Sequence, residues 1–332
     1  MTTLLDTQET SALTADFGSY RDYTTRRGTD EDRLTRVLYD TVDDDLNTIY
    51  VELYDKCRTD AWFVREIETG YVRIVSHHCR LRWCSFCARV KAFKASLLLE
   101  GWVRKALHPK LLTLTLKSAD LPLATQIDRI YDAFRSLRKR EVFKSRLLGG
   151  VWFFQVTKSS KTGYWHPHIH CLCEGRYIPH RDLKSMWEEI TGDSVIVDIR
   201  PVRNVRTLTN DVTRYISRPM SLKGLSPDSM LNLFHAFHGR RLCGTFGTAR
   251  KISQQIKLEN PAPKIEKVGS WSTVMFSRKS DPAAQQILDC YLRSEPLPAG
   301  IDVLEVDDFI LDDIALHPIP SVLDLQPYFW TD

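Results

Sequence analysis

The chain has little that would place it in a membrane or among secreted scaffolds. No run of about 18 apolar residues occurs, the length a helix needs to cross a bilayer. The opening residues, Met1-Thr2-Thr3-Leu4-Leu5-Asp6, lack a basic stretch followed by an apolar one, so no secretory leader is expected. A cytoplasmic protein is the resulting expectation, with its 8 cysteines serving as thiols or metal ligands instead of disulfides. No Gly-x4-Gly-Lys-Ser/Thr loop is present, so any ATP-driven unwinding has to come from another protein. Internal repeats and low-complexity stretches are also missing. What remains is an ordinary globular composition: 332 residues, 43% hydrophobic and 27% charged, long enough to bury one large core or two.

The net charge of +4 conceals a strong segregation. Residues 1–56 carry a balance of −7 and residues 281–332 a balance of −10, which leaves +21 on the block between them. So basic a block is the electrostatic footprint of a polyanion binder, most simply nucleic acid. The acidic ends are expected to lie outside the functional region, as flanks able to compete for the basic face. Within the first flank, apolar spacing from Arg33 to Leu53 predicts one helix around Asp43-Asp44-Asp45, a triplet read as a solvated turn.

The most informative stretch is Trp165-His166-Pro167-His168-Ile169-His170-Cys171-Leu172. On a strand, alternate side chains share a face, so His168 and His170 emerge together, roughly 6.5–7 Å apart. Two imidazoles so placed can grip one divalent cation while Ile169 and Cys171 turn into the core. The preceding apolar run, Val151 to Lys158, reads as the partner strand of an antiparallel hairpin closed by the polar loop Ser159–Gly163. Gln155 lies inside that run. A buried amide needs partners, so Gln155 is a candidate third ligand through its carbonyl oxygen, the alternative being a glutamine facing solvent. Lys158, at the hairpin end, is a candidate phosphate contact, the alternative being a solvated lysine.

A second constellation is Cys79-Arg80-Leu81-Arg82-Trp83-Cys84-Ser85-Phe86-Cys87. Its Cys-x2-Cys part forms a knuckle that points two thiolates at one tetrahedral cation, the usual arrangement of structural zinc. A closed site needs a fourth ligand. Cys57 is the first candidate, with His78 second.

The remaining elements are placed by periodicity. Helices are expected at Val90–Leu107, Ile127–Leu148 (strongly basic and ended by Gly149-Gly150), Arg181–Ile190 and from Asn204 to Pro219. Strands are expected at Lys110–Lys117 and Val195–Arg200. From Lys110 the order is strand, helix, strand, strand, helix, strand, helix. It predicts an α+β fold, a mainly antiparallel sheet with a βαββαβ-like core and helices on one side. Four segments follow: an acidic flank (1–56), a zinc-binding region with its helix (57–108), the core (109–251) and an acidic extension (252–332).

The last expected helix carries Asp211-Val-Thr-Arg214-Tyr215-Ile-Ser-Arg218. Asp211 and Tyr215 are one turn apart and share a face, with Arg218 beside them. A tyrosine nucleophile needs help, its ordinary pKa being roughly 10. Arg214 and Arg218 would supply positive charge and fork to phosphate oxygens.

With these pieces in order, the chain resembles the rolling-circle replication initiators of small bacterial plasmids, within the HUH endonuclease superfamily. The likeness rests on Leu111-Leu-Thr-Leu-Thr115, His166-Pro-His168-Ile-His170, Asp211-x-x-Arg214-Tyr215-x-x-Arg218, the four cysteines and Gly239-Arg-Arg-Leu-Cys-Gly-Thr-Phe-Gly247. It spans roughly Cys57 to Lys251. The resemblance implies that His168 and His170 hold a catalytic Mg²⁺ or Mn²⁺, with Gln155 or His166 completing the set. The family often has a carboxylate where this chain has Gln155, and lysines where it has Arg214 and Arg218. Tyr215 would attack the scissile phosphate and Asp211 would activate the group that ends the cycle. Arg214, Arg218 and Lys158 would contact DNA phosphates. Zn²⁺ would be structural, on Cys57, Cys79, Cys84 and Cys87. The implied partners are single-stranded or hairpin origin DNA and the host helicase, single-strand-binding protein and polymerase. A transposase or relaxase of the same superfamily, or a zinc-stabilised DNA-binding regulator without catalysis, are the alternative readings.

Overall fold

The computed structural model describes residues 20, 30–41, 45–202, 222–251, 263–303 and 314–316. It is an α+β chain whose two sheets are antiparallel throughout. By internal contact it divides into two units, one made of residues 1–27, 52–80 and 262–332, the other of 28–51 and 81–261. The segment expected as a C-terminal extension therefore shares a sheet with residues far upstream.

That first unit is built on strands β1 (Trp62–Glu66) and β2 (Val72–His77), joined by a short turn. The sheet order is β8-β1-β2-β9, with β8 at Ile265–Ser270 and β9 at Ile314–Leu316. Phe63, fully buried, stacks on Trp271 with ring centroids 5.5 Å apart and meets Tyr291 edge-on at 5.6 Å.

The second unit carries the five-stranded sheet β6-β3-β5-β4-β7. Its strands are β3 (Lys110–Thr115), β4 (Leu147–Lys158), β5 (Trp165–Gly175), β6 (Val197–Pro201) and β7 (Cys243–Gly247). The β4–β5 hairpin and the order β3, helix, β4, β5, helix, β6 are as the periodicity predicted. One face is covered by α4 (Leu123–Leu137) and α6 (His180–Thr191). The buried residues of α4, among them Leu123, Ile127, Ile130, Phe134 and Leu137, recur every three or four positions and form one apolar stripe. Tyr131 packs edge-on against Trp152 and Phe154 of β4 at 5.5 and 5.6 Å. Trp187 of α6 is fully buried and donates its indole N–H to the Thr115 carbonyl at 2.9 Å.

Several expectations need correction. The helices are not confined to one side. On the opposite face Leu99, Trp102 and Val103 of α3 (Ser85–Val103) form a cluster with Phe153, Leu172 and Ala249. That helix starts at Ser85, not Val90, because the knuckle itself winds into its first turn, with Cys84 as N-cap. The basic stretch 127–148 is not one helix: α4 ends at Leu137, a short α5 covers Glu141–Arg146, and Leu147 already belongs to β4. The stripe explains the break. Continuing its phase past Leu137 would present Glu141, Lys144 and Ser145 to the core, whereas the residue buried is Phe143. Likewise Arg33–Leu53 forms two helices, α1 (Asp30–Tyr39) and α2 (Asp45–Asp55). The Asn47 amide donates to the Thr41 carbonyl at 3.0 Å and so caps the chain end between them. Residues 42–44 and the helix expected at 204–219 lie outside the described residues.

Gly149-Gly150, expected to stop a helix, lie inside β4 because the sheet comes too close there for a side chain. A Cβ on Gly150 would sit 2.6 Å from the Leu172 carbonyl oxygen and 3.0 Å from the Phe246 ring. Gly150→Ala should therefore lower the unfolding free energy by about 1–3 kcal/mol, the usual cost of overpacking. Urea denaturation of the two proteins checks this, and an unchanged midpoint would show that the strands spread freely.

Candidate functional site: a histidine–glutamine cluster and a cysteine cluster

Register decides which side chains meet. In the β4–β5 ladder Gln155 faces His168, and in the β3–β5 ladder Thr113 faces His170 while Thr115 faces His168. Facing residues of antiparallel strands point to the same side of the sheet. Gln155, His168, His170 and Thr113 therefore share the face whose other half is covered by α3.

The ring centroids of His168 and His170 are 4.9 Å apart. Gln155 Oε1 lies 2.8 Å from His168 Nε2 and 3.0 Å from His170 Nε2. The other ring nitrogens are occupied: His168 Nδ1 is 3.2 Å from the His166 carbonyl, and His170 Nδ1 is 3.1 Å from the Thr113 hydroxyl. A carbonyl only accepts, so His168 carries its proton on Nδ1 when neutral, and its Nε2 lone pair points at Gln155. With the amide carbonyl turned inward, as here, lone pairs from an imidazole and an amide oxygen converge without a proton between them, and His170 adds its Nε2 to the same point. Turning the amide over would let its NH₂ donate to both rings. A divalent cation accepts all three atoms, and the Nδ1 contacts then orient the rings from behind, as is usual for metal-bound histidines.

Burial lowers the pKa of both rings, His168 to about 4 and His170 to about 3. Both therefore stay neutral at physiological pH, the form that binds a metal. His166, the alternative third ligand, is set back: its ring centroid is 6.1 Å from that of His168, and it contributes to the cluster through its backbone carbonyl. Lys158 ends β4 with its ammonium 2.7 Å from the Ser229 hydroxyl and 4.9 Å from the Trp165 ring centre. Asp211, Arg214, Tyr215 and Arg218 lie outside the described residues.

Sequence reading did not single out Thr113 or Asp198. Asp198 faces Thr113 across the β3–β6 ladder and pairs with Arg200 at 3.1 Å. The alternation of Thr with Leu in β3 was the available signal for Thr113.

The four sulfurs of Cys57, Cys79, Cys84 and Cys87 lie within 4.8 Å of one another, and all four residues are buried. In a tetrahedral zinc site with bonds of about 2.3 Å the sulfurs stand about 3.8 Å apart, so the group can hold such an ion. Cys57 completes the set and His78 is not part of it. The following residues anchor the loop within the second unit. Arg82 donates to the Phe237 and Arg240 carbonyls at 2.9 and 2.8 Å, and Trp83 stacks on Phe237 at 5.7 Å. Phe237 ends α7 (Pro227–Phe237), which also packs on Phe154 of β4.

Among the described residues no helix is long and apolar enough to cross a membrane. A family model described as replication protein matches residues 72–281, more than half of the chain. Curated relatives named "Protein rep" are also similar to the chain. One from Bacillus sp is 25% identical over 243 residues, covering 59% of this chain and 77% of its own length. One from Bacillus amyloliquefaciens is 24% identical over 254 residues, covering 62% and 73%. One from Staphylococcus aureus is 26% identical over 176 residues, covering 48% and 76%. No solved structure matches the chain.

Two measurements follow. The unfolded chain takes up protons on these histidines near pH 6.5, whereas the folded chain does so only near 4 and 3. Between those limits the unfolded state binds more protons, so metal-free stability should fall by a few kcal/mol as pH drops from about 6.5 to 4, and stay flat above 6.5. Chemical denaturation across that range should show the slope, and the double variant His168→Gln, His170→Gln should lose it. A slope unchanged in the variant would assign it to other groups. Separately, elemental analysis of purified protein should give about one zinc per chain, and Cys57→Ser should lose it more readily to a chelator than wild type. Zinc-free protein with unaltered stability would remove the metal from the cysteine cluster.

Proposed function

Because this chain belongs to the Rep_1 family of replication proteins, we propose that it initiates rolling-circle replication of a plasmid by nicking and rejoining origin DNA. The observation that carries this reading is the convergence of His168 Nε2, His170 Nε2 and Gln155 Oε1 on one point of a basic chain's central sheet. In this reading the sheet and its flanking helices are an HUH endonuclease core. Gln155, His168 and His170 hold Mg²⁺ or Mn²⁺, and zinc on the four cysteines is structural.

The bound metal supplies Lewis-acid polarisation of the scissile phosphate. The chain does the rest. Gln155 orients the two imidazoles and completes the ligand set, and Thr113 holds His170 from behind. Tyr215 attacks phosphorus in line: a bond forms between its phenolic oxygen and the 5′-phosphate, the bond to the 3′ oxygen breaks, and that oxygen leaves as a hydroxyl for polymerase to extend. Arg214, Arg218 and Lys158 neutralise phosphate oxygens. Asp211 takes the proton from the water or hydroxyl whose attack releases Tyr215. The phosphodiester energy is kept in the tyrosyl ester, so the same residues can rejoin a strand. The basic residues that follow α4, Arg138 to Arg140, and those of α5, Lys144 and Arg146, grip the origin, with affinity falling as salt rises. Host helicase, single-strand-binding protein and polymerase act on the exposed 3′ end, in the cytoplasm.

The test uses a labelled single-stranded oligonucleotide from the plasmid's own origin, with Mn²⁺, resolved on a denaturing gel. A protein–DNA adduct is expected that disappears with EDTA and in Tyr215→Phe. Gln155→Ala should slow its formation by about a hundredfold or more, a few kcal/mol of barrier, while Gln155→Glu should retain activity. Tight origin binding without any adduct would point instead to a DNA-binding regulator.

A further inference from the structure

A second feature of the same unit lies away from the histidines. Where β3 begins and β5 ends, the surface opens into a cleft of about 790 Å³, in the size range of small-ligand sites. Its walls include Lys110, Arg146, Arg176, Tyr177, Pro179 and Pro201. Lys110 is three residues from Thr113 and Gly175 five from His170, so the cleft stands roughly 10–17 Å along the strands from the candidate metal ligands.

The cleft has two chemically distinct sides. One is cationic. Arg146 and Arg176 are exposed, and the Lys110 side chain is buried with its ammonium bonded to the carbonyls of His108, at 2.7 Å, and Gly175. An ammonium has three donors, so one N–H of Lys110 remains for a ligand. Glu174, the neighbour of Gly175 in β5, is engaged elsewhere, accepting from the Leu107 N–H at 3.0 Å and from the Thr248 hydroxyl. The other side is flat and apolar. Tyr177 is 47% exposed, a large aromatic held in place because Arg146 donates to its carbonyl at 3.2 Å, and the prolines extend the surface. An exposed aromatic beside fixed cations is the arrangement that stacks a base and neutralises its phosphate.

We propose that this cleft is a nucleotide-binding subsite, separate from the cleavage site, that takes one unit of a single-stranded DNA by stacking its base on Tyr177 and holding its phosphate with Arg176, Arg146 and Lys110. Together with the histidine face, it would let the unit hold a strand at two points. The inference extends the nucleic-acid reading but does not require cleavage, so the two can fail separately.

The test measures binding of a fluorescent oligothymidylate by anisotropy in Tyr215→Phe protein, which forms no adduct. Added Tyr177→Ala should weaken binding about tenfold, within the range for one lost base stack. Arg176→Ala should weaken it and flatten the dependence of log affinity on log salt by about one phosphate contact. In the Tyr215-containing protein, neither change should abolish adduct formation on a short oligonucleotide that spans only the nick. Thymidine monophosphate and inorganic phosphate are titrated as further arms. Monophosphate binding that is tight and lost in Tyr177→Ala would identify a free nucleotide as the occupant and overturn assignment to a strand. Phosphate binding that ignores Tyr177→Ala, equal competition by polyglutamate, or oligothymidylate affinity unchanged in both variants would each overturn the subsite.

Discussion

The pairing of β4 with β5 is the constraint on which the candidate site depends. Gln155 meets His168 only in the register observed, and a slip of one residue would turn every side chain of one strand to the other face. That register is held from both sides of the sheet. Phe153 and Leu172 are locked into a cluster under α3, while Phe154, Ile169 and Cys171 are buried on the opposite face, Phe154 against Tyr131 of α4. The apolar residues and the candidate ligand residues lie along the same strands, so the packing that stabilises the sheet also aims the imidazoles.

Placing two imidazoles and an amide together carries a desolvation cost, visible in the lowered pKa of both histidines. The cost is useful. Burial keeps both rings neutral, the form whose lone pairs can bind a divalent cation. The Thr113 hydroxyl and the His166 carbonyl keep the rings from turning away. A half-covered sheet face suits this role. The part under α3 is packed, and the part carrying the histidines is only partly buried.

The cysteine loop contributes differently. Arg82 and Trp83, within the knuckle, are fastened to the end of α7, and α7 in turn packs on β4. Ordering the loop thus supports the outer side of the sheet strand that carries Gln155. Thiolates gathered on one ion would add a cross-link to this loop.

Much of this was legible in the residues by themselves. The apolar run Val151–Lys158, the polar loop after it and the period of two along Trp165–Leu172 were enough to predict the hairpin and to put His168 and His170 on one face. The Cys-x4-Cys-x2-Cys spacing announced a metal knuckle, because ligand geometry is encoded locally. That Gln155 stands opposite His168 and that Cys57 joins the other three cysteines is visible only in the tertiary structure, since each depends on which distant backbone lies opposite. The helix breaks at Leu137 and after Tyr39 were hidden because helical propensity continues through them, and only the phase of the buried stripe shows that the core has ended. Gly149-Gly150 read as a stop until the neighbouring carbonyl of Leu172 showed why a strand needs glycine there. Local periodicity determines what each segment is able to form, whereas register and close approach belong to pairs of segments and exist only once the chain has folded.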